Sequence, residues 1–302
     1  MKKTLIVILG PTGVGKTELC LSVAQHLGIP IVNADSRQIF AELPIGTAAP
    51  TVSQQKLVKH YFVANHHIDD YYSASMYEED AMNLLTNELF PKSDVALLTG
   101  GSMMYIDAVC NGIDDIPSVD EQTRIWMKRR LQEEGLQSLV DELKELDPEH
   151  WAIVDRRNPR RVIHALEICH TTGNTYTSYR TNEVKQRPFN IVKIGLTRSR
   201  EELYDRINKR VLNMIDAGLE QEALAVYDKR HLNALNTVGY KEMFEYLDGL
   251  TTLDQCIFKI QSNTRRYCRK QQTWFKRDTS ITWFCPDNIK EIINFIDTSL
   301  IG

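Results

Sequence analysis

The chain has 302 residues, 42% of them hydrophobic and 25% charged, the balance of an ordinary globular protein. No apolar run approaches the ~18 residues that span a bilayer, so no membrane partner is expected, and six cysteines without a CxxC pair suit free thiols in a reducing cytoplasm. A net charge of −4 argues against a generic nucleic-acid binder, yet acidic residues dominate 101–150 and basic ones 151–200, so the average hides local patches.

The opening "MKKTLIVILGPTG" imitates a signal peptide, but its apolar run is short and flows into a glycine-rich loop. It reads as a buried strand over 4–10. "GPTGVGKT" then matches G-x-x-x-x-G-K-[ST] in full, with Gly10, Pro11, Thr12, Gly13, Val14, Gly15, Lys16 and Thr17. Glycines let backbone N–H groups face an anion, and the following helix adds a favourable potential. Lys16 neutralises charge, and Thr17 is placed to ligate Mg²⁺. The helix "KTELCLSVAQHLG" stripes Leu19, Val23 and Leu27 and stops at Gly28.

"IPIVNAD" (29–35) is the second strand, ending in Asp35. In an open α/β sheet ligands sit at that end, and a carboxylate there accepts a proton from a bound nucleophile. The plainer alternative is an Asp that caps the following turn. His66 and His67 lack a third ligand at zinc spacing, so no structural metal is expected. After a helix over 77–90 comes the strand "DVALLTGG" (94–101), which ends without the carboxylate that ATP-hydrolysing motors place there.

Residues 118–185 carry helical patterns only. Within them "NPRRVIHALE" has Asn158 as N-cap and Pro159 at the first helical position. Arg160 and Arg161 then fall in the first turn, where the macrodipole disfavours cations by ~0.3–1 kcal/mol each. Such a helix start suits a phosphodiester. The strand "NIVKIGLT" (190–197) follows, then amphipathic helices over 200–278, then "SITWFC" (280–285). The last helix carries the island "TRRYCRKQQTWFKR" (264–277), whose Arg265/Arg269 and Arg266/Lys270 are like-charged i,i+4 pairs. An anion would relieve them. Tyr267 interleaves with these cations, as an aromatic able to stack on unpaired bases does, whereas Trp274 and Phe275 read as core.

Strands alternating with helices predict an α/β fold, a P-loop parallel sheet flanked by helices, with a helical insertion domain. The core comprises 1–117 and 186–302 and the insertion 118–185. A P-loop kinase phosphorylating a small metabolite from ATP, with Asp35 as base, fits the loop but not the two basic sites. An RNA-binding module switched by nucleotide fits the basic sites without chemistry.

Taken together, "GPTGVGKT" (10–17), "DSRQIF" (35–40), "IGTAAP" (45–50), "LLTGGSMMY" (97–105), "NPRRVIHALEI" (158–168), "NTVGYKE" (236–242) and "TRRYCRKQQTWFK" (264–276) resemble the tRNA dimethylallyltransferases, the isopentenyltransferases of bacterial type (IPP transferase family). The resemblance implies transfer of a dimethylallyl group from dimethylallyl diphosphate to N6 of adenine 37, beside the tRNA anticodon, with diphosphate released. It implies Asp35 as proton acceptor and Lys16, Arg206 and Arg210 on the diphosphate, with Mg²⁺ as cofactor. Ser102, standing where the family usually has Thr, would orient the adenine. Contacts to the tRNA anticodon stem-loop map onto Asp35, Ser36, Arg37, Gln38, Ser102 and Arg124. They continue through Arg160, Arg161, Val162, Ile163 and His164, then Asn236, Thr237, Val238, Gly239, Tyr240 and Lys241. Arg265, Arg266 and Arg269 of the basic island join them. His164 stands at a position that is often Arg, and Phe40 replaces a usual Tyr. A monomer is the default expectation.

Overall fold

A sheet of six parallel strands runs in the order β3-β2-β4-β1-β5-β6. Its strands are β1 Thr4–Leu9, β2 Ile31–Asn33, β3 His60–Tyr61, β4 Val95–Gly100, β5 Asn190–Leu196 and β6 Thr282–Phe284. The computed structural model describes residues 2–181 and 183–301.

β1 lies between β4 and β5, and all six of its residues are buried. Its unbroken apolar run follows, because a central parallel strand is covered on both faces. Leu5, Val7 and Leu9 pack with Tyr77, Leu85 and Phe275 on one side. Ile6 and Ile8 pack with Leu19, Val23, Ile207 and Ile292 on the other. The period-two alternation of the strand thus divides one apolar run between two cores.

The helices of the first half are α1 Lys16–Leu27, α2 Val52–Leu57, α3 Ala74–Asn83, which continues through a wider turn over Leu84–Leu89, and α4 Met103–Asn111. α1 ends at Gly28, whose φ of 63° lets its N–H reach back to the last-turn carbonyls.

The chain divides into two compact units, Met1–Asn111 with Gln186–Gly302, and Gly112–Lys185. The second holds α5 Glu121–Leu146, α6 Pro148–Ile153, α7 Pro159–Thr172 and α8 Tyr176–Tyr179, around Met127, Leu139, Leu143, Val162 and Leu166. Gly135 breaks α5 with φ 80° and ψ 168°, a conformation that a Cβ would disfavour. Asn158 caps α7 by accepting from the Arg161 N–H, with Pro159 in the first turn. The first unit resumes at β5 and adds α9 Arg200–Asp216, α10 Leu219–Ala225, α11 Tyr240–Leu247, α12 Leu253–Phe275 and α13 Ile289–Ile301. Among the described residues no helix is long and apolar enough to cross a membrane.

Candidate active site

The phosphate loop leaves the C-terminal end of β1 and enters α1. Gly13 (φ 81°) and Gly15 (φ 107°) take left-handed backbone, and a Cβ on Gly13 would stand 2.9 Å from Ile207 of α9. Lys16 folds over the loop, its Nζ donating to the Gly10 and Pro11 carbonyls at 2.8 and 2.9 Å. Burial pulls the ammonium pKa down to about 8, the neighbouring Arg210 adds to the effect, and the Asp35 carboxylate opposes it. α9 braces the cradle from outside, where Arg206 Nε donates to the Gly13 carbonyl at 2.7 Å. Arg210 Nη2 donates to the Thr47 carbonyl at 3.2 Å. A cavity of about 400 Å³ opens here, lined by loop residues Thr12, Gly13, Gly15, Lys16 and Thr17 together with Arg206 and Arg210.

Asp35 follows β2 and does two things at once. Its Oδ1 accepts from the Arg37 N–H at 3.0 Å and the Gln38 N–H at 3.4 Å, so the turn-capping alternative is realised. Its Oδ2 has no hydrogen-bond partner among the described residues. Ser102, at the end of β4, accepts from the Ser36 N–H at 2.8 Å and donates to Ser36 Oγ at 3.0 Å. That pair fastens the Asp35 turn to the sheet.

A second cavity of about 570 Å³ lies on this side. Asp35, Ser36, Arg37, Ser102, Asn236, Thr237, Val238, Gly239 and Lys241 line it, as do Arg266, Tyr267 and Lys270 of α12. Asn263, Arg266, Tyr267 and Lys270 follow i, i+3, i+4, i+7 spacing, one face of that helix. Thr12, Asp35, Arg210 and Tyr267 line both cavities.

Several expected residues are engaged by the protein itself, among them Arg37 of the second cavity and Gln38 of the first. Tyr240 is buried, with its hydroxyl on Glu222 and its ring where a Gly46 side chain would stand. Arg37 Nη1 donates to the Asn233 and Ala234 carbonyls, and Gln38 Nε2 to those of Thr47 and Ala48. Arg265 and Arg269 turn to α9, donating to Asn208 Oδ1 at 2.6 Å and the Tyr204 hydroxyl at 2.8 Å. Neutral acceptors, rather than an anion, thus hold that like-charged pair. Phe275 is core, and Trp274 packs beside it with Nε1 donating to Asp107. In the second unit Arg160 and Arg161 are exposed on the first turn of α7, Val162 is buried, Ile163 half-buried, and His164 exposed with Glu167 3.7 Å away. Arg124 lies in the first turn of α5.

Gln271 was not singled out by the sequence. It is buried, accepts from the Thr12 N–H at 2.9 Å and donates to the Gly101 carbonyl at 2.8 Å, tying α12 to the phosphate loop and to β4. Its position one turn after Tyr267 on the same face was the available signal.

The IPP transferase family matches residues 38–278. The chain belongs to the IPP transferase family. This IPP transferase is similar to tRNA dimethylallyltransferase 1 of Phocaeicola vulgatus, 61% identical over 296 residues that cover 98% of each chain. It is also similar to the Bacteroides thetaiotaomicron protein of the same name, 59% identical across 97% of this chain and 95% of that one. Among solved structures, the full-length tRNA isopentenylpyrophosphate transferase of Bacillus halodurans superposes with a TM-score of 0.72 at 36% identity, covering 99% of this chain and 97% of that one. The family match begins at Gln38, whereas the alignment with the Phocaeicola vulgatus relative, covering 98% of this chain, takes in the phosphate loop as well.

Proposed function

We infer that this IPP transferase is a tRNA dimethylallyltransferase, which moves the dimethylallyl group of dimethylallyl diphosphate onto N6 of adenine 37 in tRNA. The observation that carries the reading is the shared wall. A phosphate-binding cavity and a larger second cavity meet at Thr12, Asp35, Arg210 and Tyr267, which suits two substrates approaching one point from different sides.

The donor diphosphate fits the first cavity. The loop N–H groups, Lys16, Arg206 and Arg210 stabilise the charge that gathers on it as the C1–O bond breaks. The adenine enters the second cavity, after leaving the anticodon-loop stack at a cost of a few kcal/mol. Its N6 forms a bond to C1, the bonding pair of C1–O departs with diphosphate, and the N6 proton passes to Asp35 Oδ2. Diphosphate is a leaving group here, so no water-activating carboxylate is needed at the end of β4. Ser102, already bonded to Ser36, orients the turn that carries Asp35 and lies within reach of the base.

Thr17 is exposed and lines the donor cavity, and its hydroxyl makes no hydrogen bond among the described residues. A hard oxygen donor beside a diphosphate fits Mg²⁺, which would be held by Thr17 and by the donor's own oxygens, and would supply further neutralisation of the leaving group.

Arg160 and Arg161, exposed at the start of α7, suit phosphates of the anticodon stem-loop. Replacing either by Ala is expected to weaken tRNA binding and to reduce the slope of log K against log [salt] by about 1. Titrations at several salt concentrations check this, and an unchanged slope in both variants would return the helix start to a solvated surface.

The direct test incubates the protein with an anticodon stem-loop and dimethylallyl diphosphate, then weighs the released adenosine. A gain of one C5H8 unit is expected. Phosphoryl transfer from ATP to a free nucleoside, without prenylation, would overturn the reading in favour of a kinase.

A further inference from the structure

We propose that Tyr267 is a catalytic residue of this transfer, offering its ring face to the five-carbon group and stabilising the positive charge that spreads over it as diphosphate departs. The inference rests on the proposed function and deepens it.

The transferred group is the only part of either substrate that begins in the donor cavity and finishes in the acceptor cavity. Residues lining both cavities therefore surround the reacting carbon. There are four, and three are already occupied with other tasks. Thr12 belongs to the loop and gives its N–H to Gln271. Arg210 is cationic and suits the diphosphate. Asp35 holds the turn through Oδ1 and receives the proton through Oδ2. Tyr267 alone among the four presents an aromatic side chain, and the residue keeps 37% of its surface accessible.

An allyl group makes demands that this ring meets. Before reaction it is apolar and needs apolar contact. As C1–O stretches, positive charge is shared between C1 and C3, and the negative face of an aromatic ring attracts such a cation. A nucleophilic oxygen in that place would capture the carbon instead. The ring gives neither atom nor electron pair, because N6 supplies the new bond and diphosphate keeps the old pair. The Tyr267 hydroxyl has no hydrogen-bond partner among the described residues. Loss of bulk water and the Asp35 carboxylate push the phenol up to about 12, so it stays protonated and competes with Asp35 neither as base nor as nucleophile.

Ring-fluorinated phenylalanines at position 267, compared with Tyr267→Phe as reference, test the proposal, because each fluorine withdraws density from the ring face at nearly constant shape. Stepwise lowering of kcat is expected, by about tenfold from the unsubstituted to the trifluorinated ring, with the KM for tRNA unmoved. Tyr267→Leu should lower kcat about 30-fold against the same reference. Adenine stacking alone, or a purely structural role, would leave the fluorinated series flat or make it rise, and either result overturns the inference whether or not the Leu variant folds. Wild-type protein that transfers no prenyl group would overturn the proposed function and this inference together. A flat series on an active wild type overturns the inference alone.

Discussion

Asp35→Asn is expected to lower kcat by roughly 10²–10⁴ while leaving tRNA affinity and thermal stability close to those of the wild type. Asparagine keeps an Oδ1 acceptor for the Arg37 and Gln38 N–H groups, so the turn and its attachment through Ser36 and Ser102 survive. Its amide cannot accept the N6 proton. Asp35→Ala removes both contributions, and should add a stability loss of about 1 kcal/mol, the usual size for a deleted cap. Single-turnover prenylation of a stem-loop, together with thermal melts of both variants, separates the two roles. Full turnover by the asparagine variant would leave Asp35 a turn cap and nothing more.

That double use of one carboxylate shows where a sequence stops. "VNADSRQIF" admits either a base or a cap, and only the placement of Oδ1 and Oδ2 reveals that the two readings are compatible. The sheet was more legible. β1 and β4 lie deep within it, so burial on both faces writes an uninterrupted apolar run that no surface segment imitates. β3 left no such trace, because its two residues pair with β2 alone and neither is buried. The phosphate loop was legible because a left-handed glycine and a lysine at fixed spacing are local requirements. Gln271 was not, since its partner Thr12 lies 259 positions away and no local pattern encodes that meeting. The basic island divides the same way. Charge repulsion along α12 was visible in "RRYCRK", yet the groups that answer it for Arg265 and Arg269 sit on α9, while Arg266 and Lys270 line the larger cavity.

Lys16 carries the second large effect and a pH dependence whose sign the cavity dictates. Lys16→Ala removes a preorganised cation from the departing diphosphate and should lower kcat by roughly 10²–10³, the range found when one donor to a developing anion is deleted. In the ligand-free protein its pKa is about 8, so the ammonium is fully present below that value and is lost above it. A bound diphosphate supplies negative charge and raises the pKa again. Affinity for dimethylallyl diphosphate should therefore be full below pH 8 and fall as pH rises from there toward the raised value, by at most about tenfold per unit. The ligand adds no titration of its own in this window, because a phosphate ester's second ionisation lies near 6. Calorimetry at pH 8.5 in two buffers of different ionisation enthalpy should register net proton uptake on binding, since the ligand stabilises the charged lysine. Lys16→Arg keeps its charge throughout the range and should abolish both the uptake and the decline. Proton release on binding, or a decline unaltered in the arginine variant, would show that Lys16 is not the group whose charge the diphosphate meets.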